Sequence, residues 1–259
     1  MNPLVPHQAS RWSMASEPAE SSELLAEETA IALLFNGVPY AVMMATPADL
    51  HDFAVGFALS EGIIESASEL AWIEQVEREA GLALHLKIPA DRFESLEQRR
   101  RLLAASGCGL CGSEHLEQVM RSPPPLPSTT PLAPSTLLAA VTQLHQRQPL
   151  NAQCGALHAA AAITDDQLLV REDVGRHNAV DKVIGALGRA GRGATAMLVT
   201  SRASYELVHK VASARIPALV AVSAPTAQAV RLAEAVGLCL VAFARESRLT
   251  VYAGKHRLG

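Results

Sequence analysis

Long apolar runs are missing from this sequence. No stretch approaches the roughly 18–20 consecutive apolar residues that span a bilayer as a helix, which excludes a helical membrane protein. The amino terminus, "MNPLVPHQASRWSMASEPAESSE", lacks the apolar core of a secretory signal. It is polar and dotted with prolines, so residues 1–22 are expected to be a disordered tail and the protein cytoplasmic. Cysteine is scarce: four in 259 residues do not make a disulfide scaffold. Positive charge is not in excess either. Lys and Arg number 22 against 26 Asp and Glu, a net charge of −4, which argues against a dedicated nucleic-acid binder. A local basic pocket for an anionic ligand stays compatible with that balance. What remains is an ordinary globular composition, long enough for one large domain or two modest ones.

Two hydrophobic runs flank Asn36-Gly37 in "TAIALLFNGVPYAVMM", the strongest short signal for a β-hairpin turn. "TPADLHDFAVGFALSEGII" follows. Leu50, Phe53, Ala54, Phe57 and Ala58 recur at helical spacing, with Thr46 expected to cap, Pro47 at the first helical position and Asp49 at the positive end. Residues 70–88 predict a second strand pair around Gly81. "ADRFESLEQRRRLLAA" predicts a helix that delivers the chain to a glycine-rich loop. Residues 23–121 thus read as an α+β part. "SPPPLPSTTPLAPS", residues 122–135, holds six prolines and is a connector. Ser135 is then expected to cap a helix over 136–147. The remainder, 136–259, alternates. Apolar runs at 157–164 and 168–174 lead to a helix over 177–190. "ATAMLVTS" leads to a helix over 203–214, "PALVAVS" to a helix from Thr226, and "LCLVAFAR" and "RLTVYAG" close as strands. Such alternation predicts a layered α/β domain with a parallel or mixed sheet.

The loop "AASGCGLCGSEHLE" carries Cys108 and Cys111 in a C-x-x-C between Gly107 and Gly112. Three chemistries compete for it. Structural zinc needs four ligands, and this chain offers one C-x-x-C plus Cys154 and His158. The zinc deaminase order, H-x-E followed by P-C-x-x-C, is reversed here, because His115-Leu116-Glu117 comes after the cysteines and no proline precedes Cys108. A thioredoxin-like redox pair opens a helix after the first strand, whereas this pair follows a helix. Sulfur carriage needs an accessible nucleophilic thiolate on a mobile loop. The glycines supply mobility, and a helix starting after Cys111 or the run Arg99–Arg101 would favour the thiolate. Weak density around residues 105–113 is expected. Cys239, inside an apolar strand, reads as a core residue.

Three strand-to-helix turns carry polar groups. "LVREDVGRHNAVDKVIG" places Arg176, His177 and Asn178 at a helix start after Gly175. A helix N-terminus at a strand end is an anion site, and arginine adds planar recognition of phosphate. Caps and ion pairs among Arg171, Glu172, Asp173, Asp181 and Lys182 are an equally good account of the same block. "TSRASYELVHK" repeats the arrangement with Ser201, Arg202 and Ser204, and "VSAPT" with Ser223 and Thr226. In a parallel sheet these turns share one edge, where ligands bind. Together they predict a phosphate-bearing ligand. His158, before four alanines, reads from the residues as either a packed histidine or a ligand group.

These blocks, in this order, resemble the formate dehydrogenase accessory sulfurtransferase family, FdhD. The matching pieces are "NGVPYAVMMATPADLHDFAVGFALSEGII", "CGLCG", "GALHAAA", "REDVGRHNAVDKVIG", the run from "TSRASYELVHK" to "LCLVAFAR", and "RLTVY", most of residues 28–253. The resemblance implies a cytidine-deaminase-like layered mixed-sheet α/β domain with a smaller N-terminal α+β part, acting as a homodimer. It implies a sulfurtransferase that accepts sulfur from a cysteine desulfurase as a persulfide on Cys108, with Cys111 as helper or second relay. The acceptor is the molybdenum (or tungsten) bis-pterin guanine dinucleotide cofactor, bound as substrate, which formate dehydrogenase requires in sulfurated form. No permanently bound metal is expected. The family's cofactor-binding stretch maps to Phe243, Ala244, Arg245, Glu246, Ser247 and Arg248, with His158, Arg176, His177, Ser201 and Arg202 as further binding candidates. Cys154 stands where a small hydroxyl residue is expected and reads as bland. A non-catalytic chaperone that binds and delivers the cofactor is the alternative.

Overall fold

In the computed structural model, the residues described are 1–14, 16–104, 122–127 and 131–259. The architecture is mixed α/β, with sheets of two, four and six strands. Strands β3 (Thr29–Phe35) and β4 (Val38–Ala45) form the expected hairpin. Its turn places Asn36 at φ 50° and Gly37 at φ 85°, the two successive left-handed residues that a tight hairpin turn requires. Strands β5 (Trp72–Arg78) and β6 (Gly81–Lys87) complete the four-stranded sheet in the order β4-β3-β6-β5. Alternation decides its faces: Ile31, Leu33 and Phe35 of β3 and Leu82, Leu84 and Leu86 of β6 point to one side. Helix α1 (Leu50–Ser60) covers that side with Phe53, Ala54 and Phe57.

The six-stranded sheet has the order β12-β11-β10-β9-β7-β8. Its strands are β7 (His158–Ile163), β8 (Leu168–Asp173), β9 (Ala196–Val199), β10 (Ala218–Ala221), β11 (Cys239–Arg245) and β12 (Arg248–Ala253). The cores of β9 and β10 are wholly apolar because helices cover both faces. Helix α2 (Ala90–Ala104) belongs to the N-terminal part, and α3 (Pro134–Gln146) lies on one face of the large sheet. Helices α4 (Arg176–Ala190), α5 (Tyr205–Ser213) and α6 (Ala227–Val236) lie on the other. Among the described residues no helix is long and apolar enough to cross a membrane.

Several expectations are corrected. Residues 4–26, expected within the disordered tail and just beyond it, pair as an antiparallel hairpin of β1 (Leu4–Ser13) and β2 (Ser16–Ala26). Its strands are polar, and of β1 only Leu4 is buried, so apolar periodicity cannot reveal it. Backbone pairing and an Arg11–Glu23 ion pair at 2.5 Å hold it. Thr46 is not a helix cap. Helix α1 starts at Leu50 with Asp49 as its N-cap at φ 53°, and Thr46 is buried in another role described below. Ser135 is not a cap either, because Pro134 opens α3 behind Ala133. Proline suits that position, since its missing N–H would have had no partner. The described part of the connector is fastened. The Leu126 amide donates to the Val236 carbonyl at 2.9 Å, and the Leu132 amide donates to the Arg257 carbonyl at 2.8 Å.

The two parts meet where α1 crosses α4. Gly56 and Gly185 sit at the crossing. A Cβ on Gly56 would lie 1.7 Å from the Asp181 carbonyl oxygen, and one on Gly185 would lie 1.8 Å from that of Asp52. Glycine is required there by backbone approach rather than by φ. Gly185→Ala is expected to lower stability by about 1–3 kcal/mol or more, the usual cost of overpacking. Gly193→Ala, with nothing within 4 Å, is expected to leave the urea midpoint nearly unchanged. Equal midpoints for the two variants would refute the crossing as the tight point.

Candidate functional site

Strand direction brings the polar turns together. β9, β10 and β11 run parallel, and β8 shares their direction because both β8 and β9 are antiparallel to β7. The carboxyl ends of β8, β9, β10 and β11 and the amino end of β7 therefore lie along one edge. That edge holds His158 at the start of β7, Arg176 and His177 at the start of α4, and Ser201 and Arg202 after β9. Phe243 to Arg248 lie at the β11–β12 turn. From β7 to β11 is three strand spacings, about 14 Å. The expected juxtaposition of turns is thus present. Cys108 and Cys111, and the expected weak density at 105–113, lie outside the described residues.

Much of the polar block after β8 is structural. Lys182 is fully buried, and its Nζ donates to Asp173 Oδ2 at 2.7 Å, the Thr46 carbonyl at 3.1 Å and the Glu172 carbonyl at 3.2 Å. Asp173 also accepts from the Thr46 amide at 3.1 Å, the Gly175 amide at 2.7 Å and Asn178 Nδ2 at 3.0 Å. Asn178 in turn donates to the Met44 carbonyl at 2.8 Å, and Thr46 Oγ1 accepts from the Val174 amide at 3.1 Å. A buried ion pair is tolerable when every remaining polar site is bonded, as here. Arg171 is spent on Asp52, 2.8 Å away, which Arg189 reaches from its other side at 2.6 Å. Glu172 accepts from the Leu150 and Asn151 amides at 3.0 and 2.7 Å and so fixes the helical turn Asn151–Cys154 that leads to His158.

Deeper along α4 and α5, Lys210 Nζ donates to Asp181 Oδ2 at 3.0 Å, Glu61 Oε1 at 2.9 Å and Ser60 Oγ at 2.9 Å. Ser60 Oγ lies 2.7 Å from Asp181 Oδ1. Burial pulls the Lys210 ammonium down, but Asp181 and Glu61 outweigh it and hold the amine protonated. Ser204 and Thr226 are N-caps, accepting from the Leu207 and Ala229 amides at 3.4 and 3.2 Å.

What is left at the edge is rich in arginine. Among the described residues, Arg92, Arg171, Arg189 and Arg192 are ion-paired, whereas Arg176, Arg202, Arg245 and Arg248 meet no carboxylate. Ser201 is buried, and its hydroxyl donates to the Arg202 carbonyl at 3.1 Å. Phe243 is 39% exposed and adopts φ 49°, an uncommon conformation for a bulky residue and a mark of functional sites. Its amide donates to the Ser223 carbonyl at 3.2 Å, and its ring lies 6.5 Å from that of Tyr252. Ala244 is buried beside it, and Arg245, Glu246, Ser247 and Arg248 are exposed.

His158 and His177 both titrate low. Burial first, then Arg176, pushes His158 down; burial is also the first cause for His177. Glu206, which sequence reasoning missed, stands 2.7 Å from His177 Nε2. Its signal was an acidic residue in the first turn after Ser204, which reads as ordinary helix electrostatics. Cys239 is buried and its thiol is pushed up to about 11, an inert core group as expected. Cys154 is part-exposed. No group of three or more His, Cys, Asp or Glu suited to a metal exists among the described residues. A cavity of about 270 Å³ lies elsewhere, lined by Asp49, His51, Asp52 and Arg189. Asp52 and Arg189 there are already paired to each other.

The chain matches the model of the FdhD/NarQ family over residues 26–259. It is 52% identical over 246 residues to the sulfur carrier protein FdhD of Xanthomonas euvesicatoria pv. vesicatoria, covering 93% of this chain and 87% of that protein. It is 51% identical over 254 residues to the sulfur carrier protein FdhD of Cupriavidus necator, covering 96% and 88%. Its fold is similar to the crystal structure of a putative formate dehydrogenase accessory protein from Desulfotalea psychrophila, with TM-score 0.76, 24% identity and full coverage of both chains.

The histidines generate a pH prediction. Their folded pKa values lie below the ordinary 6.5, so the unfolded chain binds more protons there, and stability falls as pH drops below about 6.5. His158→Gln/His177→Gln is expected to flatten the melting temperature between pH 7 and pH 5 relative to the parent. Parallel profiles for the two proteins would contradict it.

Proposed function

The chain belongs to the FdhD/NarQ family, and on that premise we propose that it is a sulfur carrier serving formate dehydrogenase. Cys108 takes sulfur from a cysteine desulfurase. Its thiolate attacks the outer sulfur of the donor persulfide, a new S–S bond forms, the donor's S–S bond breaks, and the donor cysteine leaves as thiolate. The step is an exchange with no net oxidation. Cys111 assists: its thiolate attacks the inner sulfur of the Cys108 persulfide, and a Cys108–Cys111 disulfide forms as the outer S–S bond breaks. The two thiolates thereby supply the two electrons with which the outer sulfur leaves at the sulfide level for the molybdenum of the bis-pterin guanine dinucleotide, bound as substrate. A cellular dithiol then reduces the disulfide. The protein works in the cytoplasm as a homodimer.

The observation that carries this reading is the row of arginines that, among the described residues, have no carboxylate partner along one sheet edge. A dinucleotide brings phosphates, which suit Arg176, Arg202, Arg245 and Arg248 as planar donors. It also brings flat rings, which suit the exposed Phe243. The neutral His158 and the buried Ser201 hydroxyl add hydrogen-bonding groups between them. The family relationship supports the sulfur step, and the relatives named as sulfur carriers support it further.

Two measurements separate carriage from delivery. Arg202→Ala and Arg245→Ala are each expected to weaken GDP binding by about tenfold or more, the worth of a charge-assisted hydrogen bond, with unchanged melting temperature. Cys108→Ala is expected to keep GDP affinity and to abolish activation of formate dehydrogenase in cells lacking the native protein. Activation retained by Cys108→Ala would establish a non-catalytic cofactor chaperone instead.

A further inference from the structure

His177 is the odd group of the edge. Its Nε2 is buried and has no hydrogen-bond partner among the described residues, although Glu206 Oε2 stands only 2.7 Å away. The distance is short, but the angle misses hydrogen-bond geometry. A buried ring nitrogen without a bond costs free energy, and the carboxylate beside it leaves that cost unrelieved. Glu206 itself is held loosely, with its side chain 65% exposed. A negative group thus stands against His177 on the edge that carries Arg176, Arg202, Arg245 and Arg248.

The charged surroundings of His177 come from three elements. Glu206 and Lys210 face it from α5, Arg176 precedes it on α4, and His158 faces it from β7. Asp173 acts on His158 in turn. Burial, Arg176, Lys210 and His158 all favour the neutral ring, and Glu206 alone favours the charged one. The ring is therefore unprotonated at neutral pH. A phosphate carries more charge than the carboxylate and can bond the nitrogen directly, which favours the imidazolium.

We propose that His177 and Glu206 form a proton-linked latch on the phosphate-binding edge: an arriving phosphate displaces the Glu206 carboxylate from His177 Nε2, and the ring takes one proton from solvent as it donates to the ligand. The proposal rests on the guanine dinucleotide reading above and adds the residue pair that couples binding to pH. Glu206 acts as a competitor for the site, repelling weak anions that cannot deliver enough charge to replace it.

The test is calorimetric titration of the full-length protein with GDP at pH 7.5, in buffers of different ionisation enthalpy. At that pH the terminal phosphate is largely deprotonated, since its second pKa lies near 6, so the ligand contributes little proton uptake of its own. The parent is expected to take up a substantial fraction of one proton per GDP, and its affinity is expected to rise as pH falls from 8 to 7. His177→Gln is expected to bind about tenfold more weakly with no uptake. Glu206→Gln, at an exposed position that leaves folding intact, is expected to bind several-fold more tightly. GDP binding by the parent without proton uptake overturns the latch and leaves the nucleotide reading standing. Weaker or equal binding by Glu206→Gln also overturns the latch. Failure of GDP to bind the parent at all overturns the nucleotide reading and the latch with it.

Discussion

The buried Asp173–Lys182 pair is the constraint on which the rest depends. It lies at the end of β8, where the helix of the candidate site begins, and it reaches across to the N-terminal part through both the amide and the carbonyl of Thr46. One ion pair thereby fixes three things: the turn that presents Arg176 and His177, the start of the segment leading into α1, and the seam between the two parts. Removing either charge would strand the other in a dry interior, which typically costs about 3–5 kcal/mol. The glycine crossing of α1 on α4 brings the backbones close enough for the second buried network, Lys210 with Asp181, Glu61 and Ser60, to close below it. The site is thus built on a rigid seam between elements more than a hundred residues apart in the chain.

Other arginines are held by carboxylates and carbonyls of the fold. Arg171 and Arg189 converge on Asp52, Arg257 donates to the Gly237 and Leu126 carbonyls, and Arg215 donates to the Pro124 and Pro125 carbonyls. These side chains fasten the fold. Among the described residues the arginines of the strand-end edge are given no such task, which is the physical ground for reading that edge as an anion site.

Much of this was legible in the sequence because its signals are local. Asn36-Gly37 demands a hairpin, alternation of apolar runs with amphipathic segments demands a layered α/β sheet, and the direction of the strands follows from those connections. The residues of the strand-end edge could be named from the turns they occupy. The block from Arg171 to Lys182 could not be divided by sequence, because caps, ion pairs and anion ligands use the same side chains. Only the partners, Asp52, Thr46, Met44 and the amides of Leu150 and Asn151, separate the structural members from Arg176 and His177. The polar hairpin of Leu4–Ala26 escaped because it pairs through backbone with little apolar burial. Glu206 escaped because its significance lies in a neighbour on another helix.

Sulfur carriage is the central claim, and intact-protein mass spectrometry tests it most directly. The protein is incubated with a cysteine desulfurase and cysteine, then measured with and without reductant, beside Cys108→Ala. Sulfur carriage on Cys108 requires a gain of one or more sulfur atoms that reductant removes and that the variant does not acquire. A desulfurase that turns over while the parent gains no sulfur would contradict it.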